Sequence, residues 1–246
     1  MIDQSAYAPI ARSAVDRLLT EERDAIERAG ALVFASLRAG GVLQAFGTGH
    51  SRSVALELTG RAGGLVPVNQ LGLRDLAYYG ETAPRDLLDP KIEREPGLAA
   101  RVWELADIRP GDVFVIISNS GGNAAIVEMA RLAVRRGHQV IAITSRAHTA
   151  TLTVEERLAD LAHVVIDNGA PYGDAAMALP GGGTTGGVST LTGVLAAQLL
   201  VAEVAGRFIA AGEPPPVFQS ANTPGGDEHN ARLLASYGPR VRLGDA

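Results

Sequence analysis

Residues 113–123 read VFVIISNSGGN, a continuous apolar run followed by a loop of serine, asparagine and glycine. The run Val113 to Ile117 is rich in β-branched residues and predicts a buried strand, and a helical pattern follows the loop. The same order of strand, glycine turn and helix occurs from Val42 to Ala62, around the loop Gly47 to Ser53. Strands that alternate with helices predict a parallel sheet covered by helices.

Three further apolar segments complete the predicted sheet, at Leu65 to Val68, Val140 to Thr144 and His163 to Ile166. The sequence therefore predicts one flavodoxin-like, doubly wound α/β/α domain with a mainly parallel five-stranded sheet. The rest of the 246 residues fall into N-terminal helices at 1–40, an insertion with helical pieces at 71–110 and a C-terminal tail at 213–246.

Composition and charge argue against several classes of function. The net charge is −5 with no long basic run, which argues against nucleic-acid and anionic-membrane binding. The absence of cysteine excludes disulfides and thiolate metal sites, and the N-terminus lacks the pattern of a signal peptide. Polar residues interrupt the most apolar stretch, Gly193 to Ala211, which predicts a core helix. We therefore expect a cytoplasmic protein that does not enter a membrane.

The two loops, Gly47 to Ser53 and Ser118 to Asn123, offer backbone N–H groups and hydroxyls for an anion. Each follows a strand and precedes a helix, so both lie at the carboxyl edge of the predicted sheet. The first loop lacks the Gly-Lys-Ser/Thr ending of a nucleotide P-loop, and Arg52 replaces the third glycine of a dinucleotide fingerprint. A phosphate on a smaller molecule is the favoured ligand. Turn formation and helix capping are the alternative role for either loop alone.

The paired loops resemble the SIS (sugar isomerase) family of phosphosugar-binding domains, in particular its stand-alone branch without an assigned reaction. The matching segments are Gly47-Thr48-Gly49-His50-Ser51 and Ser118-Asn119-Ser120-Gly121-Gly122-Asn123. The resemblance implies that Ser51, Ser118 and Ser120 hold the phosphate, and Asn123 stands where the family usually has serine or threonine. The residues predicted to contact the sugar phosphate are Gly47, Thr48, Gly49, His50, Ser51, Ser118, Asn119, Ser120, Gly121 and Asn123.

The resemblance also implies a reaction, aldose–ketose isomerisation of a sugar phosphate, amino sugar phosphates included, without metal or cofactor. Glu57 follows the first loop and is the predicted base, and its alternative role is an ion pair with Arg61 four residues on. Two alternative functions are a sugar-phosphate lyase or etherase and a non-catalytic sensor that regulates a partner. The sequence does not decide whether the protein is an enzyme.

His229 lies in a polar cluster after the last long apolar helix and is the second predicted catalytic residue, suited to ring opening. A surface or structural histidine is the alternative. SIS isomerases often complete their sites with a histidine from an adjacent subunit, so the resemblance implies a homodimer or larger homo-oligomer. We expect the segment Gly225 to Asn230 of one subunit to reach the sugar site of another.

Overall fold

A computed structural model of the protein describes residues 2–89 and 91–243. Five parallel strands form the central sheet in the order β2-β1-β3-β4-β5, and a separate antiparallel hairpin follows them. The strands of the sheet are β1 (Leu43–Gly47), β2 (Val68–Leu71), β3 (Val113–Ile117), β4 (Gln139–Thr144) and β5 (Val164–Asp167). The hairpin consists of β6 (Ala175–Ala178) and β7 (Thr184–Gly187). The predicted five-stranded parallel sheet is confirmed.

Helices cover both faces of the sheet. They are α1 (Gln4–Glu21), α2 (Arg23–Arg38), α3 (Arg52–Glu57), α4 (Asp75–Tyr78), α5 (Leu98–Glu104), α6 (Ala124–Arg135), α7 (Arg146–Thr149), α8 (Leu158–Leu161), α9 (Ser189–Ala210) and α10 (Gly226–Tyr237). One apolar core joins the sheet to α1, α2, α3 and α9, and the other joins it to α4, α5, α6 and α8. Alternate strand residues feed the two cores, because successive side chains of a strand point to opposite faces.

Helix α9 is the one described helix that is long and apolar enough to cross a membrane by composition. In the structure it packs against α2 and α3 and buries residues such as Leu200 and Val204 in the first core. This placement confirms the predicted core helix. Leu191 and Ile209, on its outer side, remain exposed.

The second strand begins three residues later than the sequence predicts. Leu65 forms an isolated antiparallel bridge with Val217 of the C-terminal tail, and the N–H of Val66 donates to Pro216 at 2.8 Å. The parallel ladder starts after Pro67, which has no N–H to donate. Leu65 and Val66 are therefore apolar because the C-terminal tail covers them, not because they belong to the parallel sheet.

One other boundary, one hairpin and the placement of His229 also differ from the prediction. Helix α3 ends at Glu57 rather than Ala62, because Gly60 takes a left-handed conformation with φ of 64° that ends the turn. The glycine-rich segment between β5 and α9 contains the β6–β7 hairpin, which the sequence did not predict. His229, expected in an irregular cluster, lies inside the first turns of α10.

The tail is attached at the amino ends of the strands, on the edge opposite the glycine loops. Arg240 donates to the carboxylate of Asp112 at 2.6 Å and to the carbonyl of Gly40 at 3.0 Å. Asp112 also accepts from the N–H of Val42 and from Gln44, at 2.9 and 3.0 Å. This buried network joins the tail to the starts of β1 and β3.

Candidate functional site

The two glycine loops start side by side. In the sheet register Gly47 lies opposite Ile117, so Thr48 and Ser118 begin the loops at the same level. The strand order reverses direction between β1 and β3, which makes this point the topological switch of the sheet. Open α/β sheets bind their ligands in the crevice at such a switch point.

A cleft of about 790 Å³ opens between the loops. Eight of the ten residues predicted to contact sugar phosphate line it: Thr48, Gly49, His50, Ser51, Ser118, Asn119, Ser120 and Asn123. Gly47 lines an adjoining cavity, and Gly121 lines neither. The cleft therefore brings together hydroxyl, amide and imidazole groups from both loops.

The second loop is held by its own polar contacts. Ser118 Oγ accepts from the N–H of Gly121 at 3.1 Å, and Asn119 Oδ1 accepts from Asn168 Nδ2 at 3.1 Å. Gly121 has φ of 72°, and a Cβ there would lie 3.1 Å from Thr144 Oγ1, so the turn requires glycine. Ser118 and Asn119 thus shape the loop, while no described group is hydrogen-bonded to the hydroxyl of Ser120.

The first loop folds tightly against the end of β1. A Cβ at Gly47 would lie 2.7 Å from the carbonyl oxygen of Ser51, so this close approach also requires glycine. Ser53 Oγ donates to the carbonyl of His50 at 2.7 Å. Among the described residues, none is hydrogen-bonded to the hydroxyl of Ser51, which faces the cleft.

Two long helices begin at the cleft, and they differ in what occupies their N-termini. At α9, the carboxylate of Asp174 accepts from the N–H groups of Val188 and Ser189, at 3.0 and 2.6 Å. At α6, no described side chain caps the helix, although Asn123 occupies the capping position. The first N–H groups at α9 therefore already donate to a carboxylate, whereas no described side chain accepts from those of α6.

Glu93 is the carboxylate that lies between the loops. Its Oε1 accepts from Asn123 Nδ2 at 2.8 Å, which explains why Asn123 does not cap α6. Its Oε2 lies 3.4 Å from the position of a Cβ at Gly49, so the carboxylate sits directly over the first loop. Glu93 lines both the cleft and the adjoining cavity. It comes from the 71–110 insertion, where no motif or periodicity singles it out.

Other residues that sequence reasoning did not select also line the cleft: Arg52, Leu56, His148, Asp174 and Ser189. Asn119 Nδ2 lies 3.4 Å from Nδ1 of His148, whose ring is 5.1 Å from that of Tyr172. His148, Asp174 and Ser189 come from segments distant in sequence that the fold brings to the cleft, and Leu56 lies on α3 just after the first loop. Arg52 alone adjoins a predicted motif.

Glu57 lies on α3 one turn beyond Ser53, at the margin of the cleft rather than among its lining residues. Its Oε1 accepts from Gln198 Nε2 at 2.6 Å and is in close contact with Arg61. In a single chain Glu57 therefore has two partners, Gln198 and Arg61. The contact with Arg61 is the ion pair that was predicted as its alternative role.

His229 does not line the cleft of its own chain. Its Nε2 lies 3.0 Å from the carbonyl oxygen of Val217, and the neighbouring Asn230 is hydrogen-bonded to Gln219. The structure therefore does not bring His229 together with Glu57 or with the loops in one chain. Across the described residues, no group of three or more acidic or histidine side chains is arranged to hold a metal ion.

Comparison with known proteins identifies the class to which this fold and cleft belong. The sequence profile of the SIS domain matches residues 6–145, more than half of the chain. The chain belongs to the SIS domain family. The UPF0309 protein lin2794 of Listeria innocua is 34% identical over 242 residues, which cover 96% of each chain.

Solved structures share the fold. A putative phosphosugar isomerase involved in capsule formation from Bacteroides fragilis has a TM-score of 0.55 at 21% identity, covering 83% of this chain and 91% of its own. The Vibrio vulnificus NanR protein complexed with ManNAc-6P has a TM-score of 0.52 at 16% identity, covering 85% of this chain and 64% of its own. Both contain the doubly wound α/β architecture described above.

Proposed function

We propose that this protein binds a sugar phosphate in the cleft between its two glycine loops and isomerises it between aldose and ketose forms. The observation that carries the proposal is the pairing of two hydroxyl-bearing loops at the β1/β3 switch point, beside the open N-terminus of α6. Membership of the SIS domain family supports it, as do the printed descriptions of the B. fragilis and V. vulnificus structures. A cytoplasmic location is part of the proposal.

The phosphate group is placed at the start of α6. The backbone N–H groups of the first helical turn have no partner within the helix, and Ser120 lies on the loop that leads into it. The N-terminus of α9 is a poorer place, because the N–H groups of Val188 and Ser189 already donate to the carboxylate of Asp174. Arg52 and Ser51, across the cleft, supply a cation and a hydroxyl from the first loop.

Proton transfer between adjacent sugar carbons needs a base within reach of the bound sugar. Glu93 meets this requirement in a single chain, because it lies between the loops and its Oε2 is not held by Asn123. Glu57, which the sequence predicts, is the second candidate and would first have to leave Arg61 or Gln198. We assign the base to Glu93.

A panel of sugar phosphates tests the function. The protein is incubated in D2O with glucose, fructose, mannose and glucosamine 6-phosphates and with arabinose 5-phosphate, and NMR follows the protons on carbons 1 and 2. Isomerisation exchanges a proton at one of these carbons for deuterium. A compound that raises the unfolding temperature of the protein without any proton exchange would instead support the sensor. Release of a substituent from the sugar would support the lyase.

Replacement of Ser120 by alanine should raise the Kd for the best-binding sugar phosphate by about 10- to 150-fold, because a hydrogen bond to a charged group contributes about 1.5–3 kcal/mol. Titration calorimetry measures the change. Ser53→Ala is the matched control, since that hydroxyl already donates to His50 within the loop. Equal Kd values for wild type and Ser120→Ala would contradict the placement of the phosphate.

We expect at least a dimer by light scattering, because His229 can reach a cleft only if that cleft belongs to another subunit. Subunits carrying Glu93→Gln and subunits carrying His229→Ala are refolded together and assayed. In a shared site, some hybrid sites combine an intact Glu93 with an intact His229 and regain activity. Hybrids as inactive as both parents would contradict the shared site, and a monomer by light scattering would remove its premise.

A further inference from the structure

A second cavity, of about 480 Å³, lies beside the cleft under the 71–110 insertion. The chain turns around it through α4 and the two short helical turns at Pro84–Leu87 and Ile92–Arg94. Arg74 and Asp89 contribute charged groups to its lining, but most of the residues that the insertion contributes, among those described, are apolar: Leu73, Ala77, Tyr78, Pro84, Leu87, Leu88 and Ile92. Three of them, Leu73, Leu87 and Ile92, also pack against the second core, so the insertion both covers the sheet and forms a wall of the cavity.

Two of these side chains are unusually accessible for apolar groups. Tyr78 is 64% exposed and Leu88 is 79% exposed. Their neighbours on the insertion, such as Leu76 and Leu98, are by contrast buried in the second core. Exposed apolar surface that lines a concave site marks a place where a ligand is bound.

The cavity and the cleft are continuous. They share Thr48, Gly49, Arg52 and Glu93 as lining residues. The proposed ligand has its phosphate at the start of α6 and its sugar against Glu93. Because Glu93 lines both spaces, the sugar end of this ligand lies next to the cavity. Because the two spaces are connected, we infer that the cavity is filled by a part of the same ligand and not by a separate molecule.

We propose that the cavity binds an uncharged, apolar substituent carried by the sugar phosphate. This inference rests on the proposed function, since the phosphate and sugar must first occupy the cleft. The substituent is on a carbon other than 1 or 2, because isomerisation requires a free carbonyl carbon and its neighbour. The substrate class is therefore an alkylated or acylated sugar phosphate, not an unmodified one.

The test compares glucose 6-phosphate with its 3-O- and 4-O-propyl and pentyl ethers by titration calorimetry on the full chain. Each methylene that enters the cavity should tighten binding about fourfold, so a pentyl ether, with two more methylenes, should bind about 15-fold more tightly than the propyl ether of the same series. In the double variant Tyr78→Ala with Leu88→Asn, most of this gain should vanish while glucose 6-phosphate binds as to wild type. Both side chains are largely exposed, so the fold should survive.

Val154→Asn, an exposed apolar position outside both cavities, is the control and should keep the full gain. If glucose 6-phosphate binds and neither ether series gains with chain length, the cavity proposal is wrong and the proposed function stands. A gain that persists in the double variant also overturns it, because the chain then binds elsewhere. If no compound binds, the sugar-phosphate assignment fails and the cavity proposal fails with it.

Discussion

Replacement of Glu93 by glutamine is expected to slow proton exchange at carbons 1 and 2 by about 10²- to 10⁴-fold, the usual contribution of a catalytic base. Affinity for the sugar phosphate should stay within a few-fold of wild type. The glutamine oxygen can still accept from Asn123 Nδ2, so the geometry between the loops is kept and only the basic carboxylate is lost. NMR in D2O measures exchange, and calorimetry measures binding.

Glu57→Gln is the matched control for Glu93→Gln, because it makes the same change at the other candidate base. Glu57 pairs with Arg61 and Gln198 at the margin of the cleft, and loss of a half-exposed pair costs about 0–1 kcal/mol of stability. Exchange within tenfold of wild type is therefore expected. If instead Glu57→Gln abolishes exchange and Glu93→Gln does not, the base is Glu57, as the sequence predicts, and Glu93 only positions Asn123.

Replacement of Arg240 by alanine is expected to lower the free energy of unfolding by about 3–5 kcal/mol. The reason is that the fully buried carboxylate of Asp112 would lose its cation, and an unpaired buried charge is strongly destabilising. Urea unfolding followed by circular dichroism measures the change.

Arg109→Ala is the control for this loss. Its guanidinium pairs with Asp107 on the surface, where solvent screens the pair and it contributes little to stability. The backbone N–H of residue 109, which donates to Asp112, is retained in this variant. Equal losses in the two variants would mean that the buried pair does not stabilise the tail.

The sequence was sufficient to predict the centre of the fold. β1 and β3 are continuous or nearly continuous apolar runs ended by glycine loops, and a parallel sheet buried on both faces requires such runs. The loop sequences then indicated the carboxyl edge of the sheet as the place of the ligand, because each loop follows a strand and precedes a helix. The adjacency of β1 and β3 at the switch point came only from the structure.

Elements whose partners come from distant segments were predicted less well. β2 contains two buried polar residues, Asn69 and Gln70. Their burial is compensated by hydrogen bonds, since Asn69 donates to the side chain of Gln44 and Gln70 donates to the carbonyl of Arg52. A periodicity argument sees polar residues there and ends the strand early. The β6–β7 hairpin is similar, since its strands are short, half-exposed and rich in alanine and glycine.

Some residues of the candidate site could likewise be predicted from the sequence, and others could not. Residues within the two loops could be predicted, because each loop is a local motif. Glu93 could not, because nothing near it in sequence is periodic or motif-like, and its place over Gly49 depends on the path of the insertion. Asp174 shows its role only through contacts with Val188 and Ser189, across the whole hairpin.

The pairing of Arg240 with Asp112 has a consequence for the order of events during synthesis. The two residues are separated by 128 positions, so at about 5–20 residues per second the ribosome adds the arginine roughly 6 to 26 s after the aspartate. Throughout that interval the nascent sheet has an acidic group at its base with no cation to meet it. The domain therefore cannot reach its final stability until the arginine has been added and the C-terminal segment has folded back onto the sheet.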